Sequence, residues 1–265
     1  MKKNYVNKAE RICKQIIIND NTTELENAIN AGMILSCVRV ERFTPLEYAV
    51  LIKSNNIVKW MVQNCKELMS ANELVFACGS DNSEAMDILI AANDDINRQG
   101  YAGSALSISV QEGRIDFVRK LLSYNADVWC FNEYTLAPIY IAAAEGYDEI
   151  VDVLLNHIEF ADSRNLSWDK KCVLAESLVI AGVNGNLSIV QAMVDWGMDI
   201  NSCDSDGRSL LFYALTYENH ELLSYLYEKN CIIDMFDAYG ISTKRMICDN
   251  SYRKYVKNAV LNGTL

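Results

Sequence analysis

A pattern that recurs about every 33 residues constrains the fold of this chain more than any other feature of its sequence. Its two clearest copies span residues 104–122 and 137–155. Each copy reads as a helix of small residues, an acidic residue and a Gly, and a second helix that ends in a Leu pair. A period of this length is typical of stacked-repeat proteins, in which each helix pair contacts only its neighbours. The sequence therefore predicts an array of helix pairs.

One position in the first helix marks the repeat along the chain. It is occupied by Ala49, Ala77, Ser109, Ala142, Ala181, Ala214 and Ile247, and one further step back reaches Ile16. The steps stay close to the period except for a short one from Ala49 to Ala77 and a long one from Ala142 to Ala181. The turn between the two helices comes four positions after this anchor. It is occupied in three repeats by Gly113, Gly146 and Gly185, and in another by Asp81. Residues 31–33, 93–97, 125–128 and 197–201 read as turns that close second helices, because Gly and Asn tolerate the left-handed backbone required there.

These features resemble the ankyrin repeat, which has the same period and a signature that begins T-P-L-H-x-A. Thr44, Pro45 and Leu46 keep the start of the signature, and Pro138 keeps its second position once. The signature His is absent, and the residues in its place are Glu47, Ser107, Tyr140, Val179 and Phe212. The resemblance implies an all-α ankyrin-repeat solenoid of about seven to eight helix-turn-helix repeats with short hairpin or turn projections.

The resemblance covers nearly the whole chain, so we expect residues 1–265 to form a single domain. Its expected parts are an N-terminal cap repeat at 1–41, inner repeats at 42–240 and a C-terminal cap repeat at 241–265. Basic residues replace apolar ones in the last part, as the exposed face of a terminal repeat requires. A basic patch for membrane or nucleic acid is the alternative interpretation of these residues.

Two steps between anchors depart from the period. The short step from Ala49 to Ala77 predicts a shortened hairpin around residues 64–71. The long step from Ala142 to Ala181 places an insertion within 158–172, close to Trp168. Insertions in repeat arrays often lie on the binding face, although surface loops also tolerate insertion without any function. Trp168 is the residue that favours a binding role.

The charge of the chain lies in its middle. Residues 1–70 contain 10 basic and 7 acidic side chains, residues 71–207 contain 7 and 22, and residues 208–265 contain 7 and 6. Nucleic acid needs a basic footprint, so the acidic span excludes it as a partner there. Acidity of this kind favours a protein partner with a basic surface, because complementary potentials speed association.

Nothing in the chain indicates export or membrane insertion. No run approaches 18 consecutive apolar residues, and the apolar run at residues 16–18 is too short for a signal peptide. The nine cysteines are scattered and unclustered, which indicates reduced thiols in a reducing compartment. We therefore expect a soluble cytoplasmic protein.

No catalytic motif is present in the sequence. His157 and His220 are the only histidines, and neither lies near a Ser or Cys motif. Gly100 and Gly103 flank Tyr101 without the context of a phosphate-binding loop. We expect no enzymatic activity, no cofactor and no metal site.

In ankyrin repeats the hairpin tips and the first helices line a concave groove that contacts partners, and the resemblance carries these positions over. The partner-binding residues that it implies are Phe43, Tyr101, Gln111, Glu112, Glu133, Tyr134, Glu145, Asn184, Asp206, Arg208, Tyr217 and Tyr239, with Trp168 added from the insertion. Tyr suits this role because it combines a large contact area with a polar tip. The alternative for each aromatic residue is packing against the next hairpin.

The expected function is protein–protein interaction through the concave groove, with a basic protein as the partner. One form is an inhibitor or immunity protein that masks the partner. An adaptor, a bacterial effector that engages a host protein, or a structural scaffold that assembles with itself are the alternatives. The sequence favours a monomer without determining the oligomeric state. A salt series separates the main alternatives, because charge-steered recognition weakens with ionic strength and apolar self-association does not.

Overall fold

The computed structural model describes residues 2–92, 95–132, 134, 136–158 and 166–262, with side chains from residue 8 onward. The chain divides into two compact units, residues 1–135 and 136–265. Within the described residues each unit contains four pairs of α-helices, and β-pairing is confined to isolated bridges between loops. The all-α repeat fold predicted from the period is therefore confirmed, whereas the single-domain organisation stays a prediction.

The first unit contains helices α1 to α8 in consecutive pairs. These are α1 (Lys2–Ile18) and α2 (Thr22–Asn30), α3 (Pro45–Leu51) and α4 (Asn55–Asn64), α5 (Asn72–Gly79) and α6 (Ser83–Ala92), and α7 (Ala105–Gln111) and α8 (Ile115–Ser123). First helices pack on first helices, as α3 does on α5, and second helices pack on second helices, as α4 does on α6. Short 3₁₀ turns occupy Leu35–Cys37 and Lys66–Leu68, and the latter lies where the sequence predicts a shortened hairpin.

The second unit contains helices α9 to α16. These are α9 (Pro138–Glu145) and α10 (Asp148–His157), α11 (Trp168–Val183) and α12 (Leu187–Trp196), α13 (Leu210–Tyr217) and α14 (His220–Glu228), and α15 (Thr243–Cys248) and α16 (Asn250–Leu261). The first helices α9, α13 and α15 begin four positions before the anchor, so the pattern places the start of α11 at Ser177. It begins at Trp168 instead, so part of the predicted insertion is helix, and residues 159–165 lie outside the described part.

Local hydrogen bonds explain where several helices begin. Asn21 caps α2 by accepting the N–H of Glu24 at 3.1 Å. Thr44 and Glu47 form a reciprocal capping box at α3, with Glu47 N–H donating to Thr44 Oγ1 and Thr44 N–H donating to Glu47 Oε2 at 2.8 Å. Glu47, which occupies the position of the signature His, therefore caps the start of α3.

The turn between paired helices has the same backbone in seven of the eight described pairs, the exception being the last, where Asp249 has a φ of −124°. Seven residues, each four positions after an anchor, have φ between 49° and 80°, and these are Asp20, Lys53, Asp81, Gly113, Gly146, Gly185 and Glu218. This left-handed conformation favours Gly, as the sequence predicts at three of the turns. The other four turns have the same left-handed conformation at a residue other than Gly, whose side chain makes that conformation less favourable.

The core lies between the helices, where the anchors sit. The anchors from Ala49 to Ala214 are buried, and their small side chains let neighbouring first helices approach closely. Ile247, the weakest match to the pattern, is partly exposed.

Candidate functional site

Tyr101 is the most exposed large hydrophobic side chain among the described residues, at 85 %. It lies in a tight turn closed by a bridge between Gly100 and Gly103, and its N–H donates to Oδ1 of the buried Asn72 at 2.9 Å. A Cβ on Gly100 would lie 2.6 Å from that oxygen, so the close approach requires Gly. The backbone of Tyr101 is therefore fixed while its ring faces solvent.

Tyr134 is presented in a similar way on the next loop. Its side chain is 65 % exposed, and its N–H donates to Asn132 Oδ1 at 2.9 Å. Gly103 bridges to Asn132 so closely that a Cβ on Gly103 would lie 2.7 Å from the Asn132 Cα. The loop that carries Tyr101 and the loop that carries Tyr134 are thus in direct contact through their backbones. Glu133 lies outside the described residues.

The C-terminal end of α7 adds polar groups to the same unit. Gln111 and Glu112 are both exposed. Glu112 Oε2 lies 3.6 Å from an Arg114 nitrogen, and Arg114 also pairs with Asp81 at 2.8 Å. Two carboxylates therefore share one guanidinium, and this part of the surface keeps a net negative charge.

A buried polar cluster supports the loop of Tyr101 from behind. Asn72 Nδ2 donates to Glu47 Oε1 at 3.0 Å, and Glu73 accepts the backbone N–H and the hydroxyl of Ser70. Burial, followed by the nearby charge of Glu47, raises the pKa of Glu73 despite these hydrogen bonds. Sequence reasoning missed this cluster, although Asn72 and Glu73 at the start of an otherwise apolar helix were a usable signal.

Phe43 is only half exposed. Its ring packs edge-on against Phe76 of the next pair, with centroids 5.6 Å apart. This is the packing alternative that the sequence left open for hairpin aromatics, and it leaves part of the ring for a partner.

The second unit presents its own exposed residues. Glu145 is exposed at the end of α9, and Trp168 is 77 % exposed in the first turn of α11. Tyr217 is exposed at its edge and stacks on Tyr213 with centroids 6.1 Å apart. Tyr239 is exposed on the last loop. These four side chains are accessible to a partner.

Three predicted contact residues of the second unit make contacts within that unit. Asn184 is exposed, but its amide donates to the Ala144 carbonyl at 2.7 Å and ties α11 to α9. Arg208 is only 5 % exposed, with its guanidinium between Asp206 and the buried Asp237. Two carboxylates pair with Arg208 inside the protein, which leaves little of its side chain for a partner. Asp206 is half-buried beside it.

The described residues contain no group of three or more His, Cys, Asp or Glu side chains placed to hold a metal ion. Within the same residues, no helix is both long and apolar enough to cross a membrane. The buried thiols are poor nucleophiles, because burial raises the pKa of Cys13 to about 11 and that of Cys78 to about 12.

Models of one repeat family match the chain over more than half of its length. A model described as ankyrin repeats (3 copies) matches residues 46–132 and 74–165. A second, described as ankyrin repeats (many copies), matches residues 178–227. Both described units therefore contain matched repeats.

Several curated proteins are similar over part of their length. An ankyrin repeat and KH domain-containing protein of Caenorhabditis briggsae is 25% identical over 64% of this chain and 7% of its own length. A transient receptor potential cation channel subfamily A member 1 homolog of Caenorhabditis elegans is 26% identical over 57% of this chain and 12% of its own. The nuclear factor NF-kappa-B p105 subunit of Gallus gallus is 28% identical over 48% and 13%. The chain thus spans a small part of each relative.

Among solved structures, the ankyrin repeat domain of Bcl-3 shares the fold. It superposes with a TM-score of 0.63 at 17% identity, over 77% of this chain and 93% of that domain. This likeness concerns the arrangement of the helices.

Proposed function

The chain belongs to the ankyrin-repeat family, whose repeats mediate protein–protein interaction, and on that premise we propose that it binds a basic protein through its loop tips and first-helix ends. In the first unit this surface contains Tyr101, Tyr134, Gln111 and Glu112. In the second it contains Glu145, Trp168, Tyr217 and Tyr239. We refer to the first of these sets as the tyrosine surface.

The observation that carries the proposal is the exposure of two tyrosines on anchored loops. Tyr101 is 85 % exposed and Tyr134 is 65 % exposed. The backbone N–H of Tyr101 nevertheless donates to Asn72, and that of Tyr134 donates to Asn132. A rigid aromatic side chain loses little conformational entropy on binding, so it contributes more of its contact energy to affinity. Large exposed aromatic side chains are typical of contact residues.

Charge defines the class of partner. Residues 71–207 carry 22 acidic and 7 basic side chains, and the tyrosine surface lies within this span. Glu145 is exposed and has no ion-pair partner within the described part of the chain. A basic partner gains attraction at long range and replaces water around these carboxylates, while acidic proteins and nucleic acid are repelled.

Masking is the form of binding that this chemistry fits best. An acidic surface with aromatic anchors can cover a basic functional surface on another protein and exclude that protein's own anionic ligand. In this form the chain acts as an inhibitor of its partner. The comparison proteins support only the fold on which this proposal rests. The class of partner is proposed from the charge and from the exposed tyrosines.

Capture of partners on the immobilised chain tests the proposal. Wild type, a Tyr101→Ala/Tyr134→Ala double variant and a Tyr255→Ala control are compared in native lysate at low salt. Tyr255 is a matched control because it is 63 % exposed, on α16, outside the proposed surface. We expect a basic protein retained by wild type and control, and about tenfold less of it on the double variant.

Two results would contradict the proposal. Equal retention by the double variant would place the contact elsewhere on the chain. Retention that does not weaken as ionic strength rises would exclude charge as the basis of partner choice.

A further inference from the structure

The first helix pair encloses a cavity of about 570 Å³ that opens to solvent. Its walls come from α1, α2 and the loop that follows α2, and they are mostly apolar. The lining residues on which the argument rests are Ala9, Ile12, Ala28, Met33, Ile34 and Val38. Ile12 and Ile34 are exposed at its mouth, so apolar surface faces water here.

The cavity has a local cause at Ala28. Ala28 is the seventh residue after the cap of α2, and the equivalent residue of every other described second helix is large and buried. Those residues are Met61, Leu89, Leu121, Leu154, Met193, Leu226 and Val256. A large side chain that fills the interior of seven helix pairs is thus missing from the first pair. The missing side chain leaves apolar walls of the cavity uncovered.

The same chain exposes apolar side chains that could fill this space. Ile232, Ile233 and Phe236 are all exposed within a short stretch of the loop after α14, and Phe236 is 64 % exposed. Hydrogen bonds hold the loop in place, since Ile232 N–H donates to Asn201 Oδ1 at 2.7 Å and Thr243 Oγ1 donates to the Ile233 carbonyl at 2.8 Å. The three side chains are therefore displayed by an ordered backbone.

Phe236 fits the cavity better than the other strongly exposed aromatic residues. Tyr101, Tyr134 and Trp168 each carry a polar atom that needs a hydrogen-bond partner when buried, and the cavity walls are largely apolar. A phenyl ring has no such requirement.

Charge around the two features is complementary. Lys8 lies at the rim of the cavity, and the exposed Arg39 follows Val38 of its wall. Asp234 lies two positions before Phe236 and forms a long ion pair with Lys244 at 3.5 Å, in which its side chain stays about half exposed. Acidic and basic groups would therefore meet at the edge of a contact centred on Phe236.

We propose that Phe236 of one copy inserts into the Ala28 cavity of a second copy, so that the chain associates head to tail. Each such contact uses one cavity and one phenylalanine and leaves one of each free. A contact of this heterologous kind continues from copy to copy unless it closes into a ring, so the assembly grows with concentration. The contact uses none of the tyrosine surface, which stays available to a partner.

Sedimentation of purified chains over a range of concentrations tests this proposal. Ala28→Leu fills the cavity with the residue of α6, α8, α10 and α14, and Phe236→Ser removes the inserted ring. We expect wild type to form species larger than a dimer, and each variant alone to associate about tenfold or more weakly. Thermal melts should show Ala28→Leu more stable than wild type, because filling a cavity restores lost contacts. Ala28→Met serves as a second filled variant.

An equimolar mixture of the two variants gives the most specific result. Ala28→Leu still carries Phe236, and Phe236→Ser still carries an open cavity, so the mixture should form a 1:1 dimer and nothing larger. The proposal is overturned by a wild type that stays monomeric at every concentration, by filled variants that associate like wild type, or by a mixture that stays monomeric. Tyr255→Ser, which removes a similarly exposed ring elsewhere, should associate like wild type.

Discussion

Arg208 and Asp237 form an ion pair inside the second unit, with Arg208 Nε 3.3 Å from Asp237 Oδ2 and the two side chains 5 % and 1 % exposed. The guanidinium also lies 5.2 Å from the centroid of Phe212 and 5.3 Å from that of Tyr239. One charged side chain therefore joins two successive loops and the helix behind them. Its removal would leave a buried carboxylate without a counter-charge.

Arg208→Met should lower the free energy of unfolding by about 3 kcal/mol, because it removes one partner of a buried ion pair and leaves the other without it. Urea denaturation followed by circular dichroism measures this. Lys229→Met is the matched control, since it breaks an exposed pair with Asp195 and should cost less than about 1 kcal/mol. Equal losses in the two variants would show that burial does not strengthen the Arg208 pair.

Glu73 should make stability depend on pH in a defined direction. Burial raises its pKa in the folded state, so the folded chain binds this proton at a pH where the unfolded chain has released it. Its stabilising contribution is fully present below the unfolded pKa and is lost as pH rises through the folded pKa. The unfolding free energy of Glu73→Gln minus that of wild type should therefore increase from about pH 4 upward and then level off.

A series of urea titrations at successive pH values measures this difference. Glu24→Gln, a substitution at an exposed position in the first turn of α2, is titrated in parallel as the control for removal of a carboxylate that is not buried. If the unfolding free energy of Glu73→Gln minus that of wild type instead falls as pH rises, the folded protein favours the charged carboxylate of Glu73.

Glu218→Gly should stabilise the second unit by about 1 kcal/mol, because φ is 58° there and Gly adopts this backbone without strain. The ion pair with Lys257 that it removes is largely exposed and contributes little. The reverse change, Gly146→Ala, should destabilise, since φ is 79° and a Cβ would lie 3.1 Å from Asn186 Oδ1. Thermal melts of both variants should move in opposite directions.

Alkylation should separate the cysteines by burial. Cys37 and Cys248 are exposed, whereas burial raises the pKa of Cys13 to about 11 and that of Cys78 to about 12. At pH 8 iodoacetamide should modify the exposed pair first and leave Cys13 and Cys78 thiols protonated and unreacted. Peptide mass spectrometry under native conditions gives the order, and urea provides the control in which all four react.

The repeat and its turns could be predicted from the sequence because they depend on spacing. Small buried residues such as Ala142 and Gly residues such as Gly146 mark one backbone position each, so a period reveals them. The spacing places Asp81 correctly at a turn, although Gly is the residue that this backbone favours. Periodic backbone geometry is the part of the fold that a single sequence records most directly.

The candidate site was less predictable because it depends on what covers each side chain. Arg208 occupies a loop position where a charge is usually exposed, and only the three-dimensional approach of Asp237 explains its burial. From the sequence alone, the extra residues within 158–172 could equally have been a loop or part of a longer helix, and the structure shows that α11 begins at Trp168. The cavity at Ala28 also escapes a search for motifs, since its signal is one small residue where the equivalent positions are large.

The left-handed turns at Asp20, Lys53 and Asp81 have a consequence for how the first unit comes apart. Each costs about 1 kcal/mol relative to Gly, so the helices on either side must impose the turn. A helix pair that loses its neighbour loses that restraint, and its own turn then relaxes toward ordinary backbone. Residues 1–135 should therefore melt in one cooperative step, and fragments that end inside this unit should be readily digested by proteases.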